Sequence, residues 1–97
     1  MPAYLIINYD IADADQYGEY MAPAGPALGI GSTCELVGFD GASAAIEGSP
    51  GHQTVVLKFE SKEAAQAAYD SADYQAIVGT RHAATTNHFA VLIDGLA

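Results

Sequence analysis

Two sets of side chains alternate from Ala3 to Asp10, Leu5, Ile7 and Tyr9 in one and Tyr4, Ile6 and Asn8 in the other. A two-residue period over that length predicts a first strand with two distinct faces. The period then lengthens. Asp13 followed by Gln16 has the spacing of a capping box, so a helix is expected to begin there, with Tyr17, Tyr20 and Met21 sharing one side of it. Pro23 and Pro26 are expected to kink that helix or start a second turn, and Gly29-Ile30-Gly31 closes it. Thr33 to Phe39 and Ser43 to Glu47, divided by Asp40-Gly41, read as a hairpin. After the loop Gly48-Ser49-Pro50-Gly51, Thr54 to Phe59 is the clearest strand in the chain. Ser61 is expected to cap a helix with Glu63 in its first turn and the face Ala65/Ala68/Tyr69/Ala72. Ser71 opens a second helical stretch with the stripe Tyr74, Ile77, Val78 and Arg81, and Asn87 to Asp94 forms the last strand.

The order β-α-β-β-α-β, its second helical region split in two, predicts an α+β ferredoxin-like sandwich, one antiparallel sheet with helices on one face. The set expected under the helices is Leu5/Ile7/Tyr9, Val55/Leu57/Phe59 and Phe89/Val91/Ile93. The opposite set, Tyr4/Ile6/Asn8, Thr54/Val56/Lys58 and His88/Ala90/Leu92, is too apolar for open water, so sheet-to-sheet pairing with a second copy is expected. Asn8, Lys58 and His88 on that face must then pair together or line a wet cavity, because an unpaired buried polar group costs about 1–3 kcal/mol. Replacing Asn8 or Lys58 by alanine is expected to disturb the dimer or pocket rather than folding.

Composition narrows the partners. Residues 1–97 suit a single domain, and a formal charge of −9, from twelve acidic and three basic residues, argues against nucleic acid and membrane surfaces. The apolar runs are far shorter than a membrane span and no leader pattern is seen, so a cytoplasmic location is expected. The lone Cys34 reads as a small core residue. No metal-binding, nucleotide or nucleophile motif occurs, and no cofactor is expected.

The candidate chemistry is spread thinly. Arg81 could clamp a substrate carboxylate or pair with a nearby Asp or Glu. His52 and His82 could serve as general acids or bases, or be ordinary exposed histidines. His88 could join Asn8 and Lys58 in a polar cluster, or be paired structurally. Glu47 could accept a proton, or be a solvated strand-end carboxylate. Tyr17, Tyr20, Tyr69 and Tyr74 suit core packing with one hydrogen bond each, and Tyr74 joins Asn8, Lys58 and Arg81 as a candidate ligand contact.

Together Met1-Pro2-Ala3-Tyr4-Leu5-Ile6, Asp15-Gln16-Tyr17-Gly18-Glu19-Tyr20, Ile46-Glu47-Gly48, Phe59 to Ala65, Tyr69-Asp70-Ser71, Tyr74-Gln75-Ala76, Arg81 to Ala84 and Leu92 to Gly95 resemble the DUF1330 family. The resemblance implies a ferredoxin-like subunit pairing into a dimeric α/β barrel, in a family whose function is unsettled. The chain departs from the pattern after Gly48: a Trp and then an Arg are expected before the valine-rich strand, and Ser49-Pro50-Gly51-His52-Gln53 stands instead. The expected function is a small-molecule-binding homodimer, taking a small acidic or polar organic molecule and acting without a cofactor by acid–base or oxygenase chemistry. The alternative is a non-catalytic binding or stress-related accessory protein.

Overall fold

The computed structural model describes residues 1–96 and contains β1 (Ala3–Ile11), α1 (Ala14–Leu28), β2 (Cys34–Asp40), β3 (Gln53–Phe59), α2 (Lys62–Tyr69), α3 (Ala72–Ala84) and β4 (Thr85–Asp94). The strands form one antiparallel sheet in the order β2-β3-β1-β4, which is the ferredoxin-like arrangement. α1 begins where expected: Asp13 Oδ1 accepts from the Gln16 N–H at 3.0 Å. The Asp13 N–H donates instead to the Ala84 carbonyl, which ties the start of α1 to the end of α3. The helix runs as one element through Pro23 and Pro26 to Leu28; both prolines lie on the exposed side, while Ala24 and Leu28 are buried. Gly29, at φ 84°, supplies the left-handed residue that ends it. Ser61 and Ser71 cap α2 and α3 as read from the sequence.

Two expectations about the strands fail. The second arm of the hairpin is β3, and Ser43 to Glu47 lies in the loop 41–52. That loop is stitched at its base: Asp40 Oδ1 accepts from the Ala42 N–H, the Ser43 N–H donates to the His52 carbonyl, and the Ser43 and Thr54 hydroxyls meet at 2.6 Å. These side-chain bonds satisfy the backbone without a ladder.

The faces of β4 are also the reverse of those expected. Asn87, at φ 53°, marks a bulge between the Asp10–Thr86 and Asn8–Phe89 pairs. One extra residue moves every later side chain to the other face. Leu92 therefore sits opposite Leu5 on the helix side, while Phe89, Val91 and Ile93 join Tyr4, Ile6 and Val56 on the open side. Those three β4 residues remain 49%, 44% and 42% exposed. The open face is thus more apolar than the sequence indicated. Beneath the helices, Leu5, Ile7, Tyr9, Leu57 and Phe59 pack with Tyr17, Tyr20, Leu28, Tyr74 and Val78. Cys34 is buried there, its thiol raised by desolvation and donating to the Leu28 carbonyl. No helix among the described residues is long and apolar enough to cross a membrane.

Candidate functional site

The α3 stripe places Tyr74, Val78 and Arg81 against the sheet, all buried. Arg81 is only 1% exposed and lies over the rings of Tyr9 and Tyr20, at 5.4 and 5.9 Å from their centroids. Among the described residues the one ion pair is Lys62 with Asp94, at 3.5 Å on the surface, so the carboxylate partner that the sequence offered for Arg81 is not there. The Arg81 Nε–H has no hydrogen-bond partner. Cation–π contact with desolvated rings contributes about 2 kcal/mol, less than the several kcal/mol needed to bury a guanidinium. Burial pulls the guanidinium's pKa down, yet the facing phenol oxygens of Tyr74 and Tyr20 outweigh it and hold the group above its ordinary value. The cation is buried and charged, and no carboxylate among the described residues pairs with it.

Around it the phenols meet in pairs, Tyr9 with Tyr17 and Tyr20 with Tyr74, each at 2.6 Å. In each pair one hydroxyl donates to the other, and the acceptor's own proton is left for a third group. Burial raises Tyr9, Tyr17 and Tyr20, and the nearby Arg81 does not reverse it. These three phenols stay neutral.

A second unpartnered donor lies beside Tyr9. Gln53, its cross-strand partner on β3, is 4% exposed, and its Nε2 has no hydrogen-bond partner. Gln53 is a buried polar residue that motif reading missed, although its parity with Val55, Leu57 and Phe59 puts a polar amide on the helix side. An apolar cavity of about 100 Å³ has Tyr9 and Tyr20 among its walls, with Leu28, Leu36, Phe39 and Leu57 completing much of it; neither Arg81 nor Gln53 lines it.

The other candidates divide. Asn8 is a buried structural clamp: its Nδ2 donates to the Gly51 carbonyl at 3.0 Å and to Thr54 Oγ1 at 2.9 Å, and its Oδ1 accepts from the Gly51 N–H at 2.6 Å. A Cβ on Gly51 would overlap the Tyr9 carbonyl, which is why glycine stands there. His52 holds the loop: its Nε2 accepts from the Ile11 N–H at 3.1 Å and its Nδ1 donates to the Gly41 carbonyl at 3.0 Å. Both nitrogens are engaged, leaving neither for proton transfer.

His88 does not join Asn8 and Lys58. The bulge turns it toward α3, where its ring stacks on His82 with centroids 4.9 Å apart and its Nδ1 meets Thr85 Oγ1 at 3.3 Å. Thr85 donates to the Arg81 carbonyl, so His88 Nδ1 carries the proton toward it. His82 Nε2 lies 3.5 Å from Arg81 Nη2 and can only accept from it. Desolvation, with help from Arg81 and His88, lowers the His82 pKa. Lys58 lies toward the other end of the open face, between Tyr4 and Glu35, and Glu47 is exposed in the loop. Neither approaches the Arg81 group. Among the described residues no cluster of three or more His, Cys, Asp or Glu side chains is placed to hold a metal ion.

Residues 2–96 match the family model described as a domain of unknown function, DUF1330. No curated protein matches the chain. Solved structures share its fold. A protein of unknown function from Rhodopseudomonas palustris is 16% identical, with a TM-score of 0.76 over 99% of this chain and 83% of its own. A dimeric ferredoxin-like protein of unknown function from Thermobifida fusca is 18% identical, with a TM-score of 0.66 over 98% and 92%. A variant of SnoaB, a cofactor-independent oxygenase from Streptomyces nogalater, is 7% identical, with a TM-score of 0.69 over 99% and 94%.

Proposed function

Because the chain belongs to the DUF1330 family, whose description assigns no activity, we propose from its own geometry that it is a homodimer whose protomers each bind a small polar or acidic organic molecule between the sheet, α1 and α3. The observation that carries this reading is Arg81, a buried cation caged by Tyr9 and Tyr20, two residues that also line an apolar cavity, with no carboxylate among the described residues to balance it. A buried unpaired charge costs too much to be retained for folding alone, whereas a bound molecule with acceptor atoms offsets that cost when it arrives. The open sheet face supports the dimer: Tyr4, Ile6, Val56, Phe89, Val91 and Ile93 form a continuous apolar surface that a second sheet would cover. The Thermobifida fusca neighbour is described as dimeric.

The same site carries a second reading, in which the bound molecule is turned over without a cofactor by proton transfer or oxygenation. His82 favours it, since its ring sits beside the guanidinium and its lowered pKa keeps it unprotonated, the form a proton acceptor needs. SnoaB, on the same fold, is described as a cofactor-independent oxygenase. If binding alone is the function, His82→Ala leaves ligand affinity within a few-fold and there is no turnover to lose.

The test uses the tyrosines. Four of the six are buried around the site and the chain has no tryptophan, so the near-ultraviolet circular dichroism of the wild type reports the pocket directly. Adding small polar and acidic organic molecules to the dimer is expected to change the tyrosine band saturably, and Arg81→Met is expected to remove the response. A band that no compound alters, or an unchanged response in Arg81→Met, contradicts the reading.

A further inference from the structure

The apolar cavity lies between α1 and the β2 edge of the sheet. A bulge in β2 between Leu36 and Gly38 changes the alternation there: Leu36 stands opposite Leu57 and Phe39 opposite Val55, so both side chains fall on the helix side. Both remain exposed, as does Met21 on α1, so the helix does not cover this edge. Ala24 and Gly25, the small residues of α1 that line the cavity, leave the room unfilled. An empty apolar space forfeits the contacts that would otherwise hold its walls. The walls offer little to water or to charge. Tyr9 and Tyr20 have their hydroxyls engaged with Tyr17 and Tyr74, and the Gly25 carbonyl accepts from the Gly29 and Ile30 N–H groups. A buried water needs about two to four hydrogen bonds, and this lining supplies at most the spare O–H of a phenol pair.

We infer that this cavity is a binding site for a small uncharged aliphatic molecule, entered between α1 and β2 past Met21, Leu36 and Phe39. The class follows from the walls, which hold no charged side chain and no free acceptor for a polar head. The size follows from the volume. An apolar cavity of about 150 Å³ admits benzene, so one of about 100 Å³ suits a slimmer body such as a short alkyl chain. Met21 at the mouth is unbranched and flexible, and can follow the outline of what enters. Leu36 and Phe39 face the helix side, so pairing of the open sheet faces leaves the mouth clear. The site goes beyond the Arg81 reading, because it takes a molecule with no acid group and is lined by neither Arg81 nor Gln53.

The chain has two methionines, Met1 and Met21, so a methyl-labelled methionine spectrum of the full-length protein places one peak at the mouth, assigned with Met21→Leu. Titration with xenon, butane and pentane is expected to move the Met21 peak saturably for at least one of them. Acetate and methylammonium should leave it in place. Ala24→Leu fills the cavity and should weaken the responding probe about tenfold or more, the value of about two buried methylenes. If Leu at this position prevents folding, Leu36→Trp closes the mouth in its place.

A Met21 peak unmoved by all three apolar probes overturns the inference, as does a response equal in the filled variant and wild type. A peak that shifts with protein concentration and not with the probes gives the mouth to a neighbouring copy, and overturns it too. Failure of the Arg81 reading shows separately, as a tyrosine band that no polar or acidic compound alters while the apolar probes still move Met21.

Discussion

Asn8 and Gly51 hold each other so closely that neither tolerates a change. Gly51→Ala would drive a methyl group into the Tyr9 backbone, and Asn8→Ala would strand the Gly51 N–H in a buried position. Each is expected to destabilise the fold by about 2–3 kcal/mol, seen as a lower urea midpoint with an unchanged slope. That replaces the expectation that Asn8→Ala spares folding. The sequence showed Asn8 on the mixed face, but the partner that buries it arrives from a loop 43 residues away. Arg81 behaves in the opposite way. Arg81→Met keeps the bulk and removes an unbalanced charge, so its melting temperature without ligand should be within about 4 °C of wild type or higher. A drop of about 8 °C or more would make Arg81 a structural residue. The helical spacing of Tyr74, Ile77, Val78 and Arg81 made its burial readable. The absence of an acid beside it was not readable, because it depends on how α1, α3 and β1 converge.

At the level of elements, β4 gives the sharpest contrast between the alternation and the chain's actual register. A strict two-residue period puts Phe89, Val91 and Ile93 under the helices, and the bulge at Asn87 reverses this. Leu92→Arg is therefore expected to cost about 3 kcal/mol or more, whereas Val91→Arg should leave the protomer folded and prevent pairing. Circular dichroism and sedimentation of the two variants would show it, and the reverse result would restore the simple alternation. The only trace of the bulge in the sequence is an asparagine, which tolerates positive φ better than its neighbours.

The junction of α3 and β4 also sets a pH dependence. His82 has a folded-state pKa below its ordinary 6.5, so its neutral form is favoured by folding. Its contribution is intact above that value and is lost as pH falls through 6.5 toward the lowered pKa. Acid unfolding curves should therefore be shallower over that window in His82→Ala than in wild type. A curve of the same shape in both would remove His82 from the account.

For the molecule as a whole, the topology was legible because capping residues, the hairpin's first arm and the two clearest strands each marked a boundary. The dimer was legible only in outline, since the face that drives it gained Phe89, Val91 and Ile93 through the bulge. Two subunits of net charge −9 must approach across that face, so added salt, which shortens the screening length to about 8 Å at 0.15 M, should tighten the dimer. Sedimentation at rising salt would detect the change, and weakening would point to an ionic interface instead.

Native mass spectrometry of freshly purified wild-type protein tests pairing and occupancy together. The account predicts a dimer carrying added low mass, up to one small acid per protomer, with the added mass absent from Arg81→Met. A bare monomer would contradict both the sheet-to-sheet pairing and the binding site built on it.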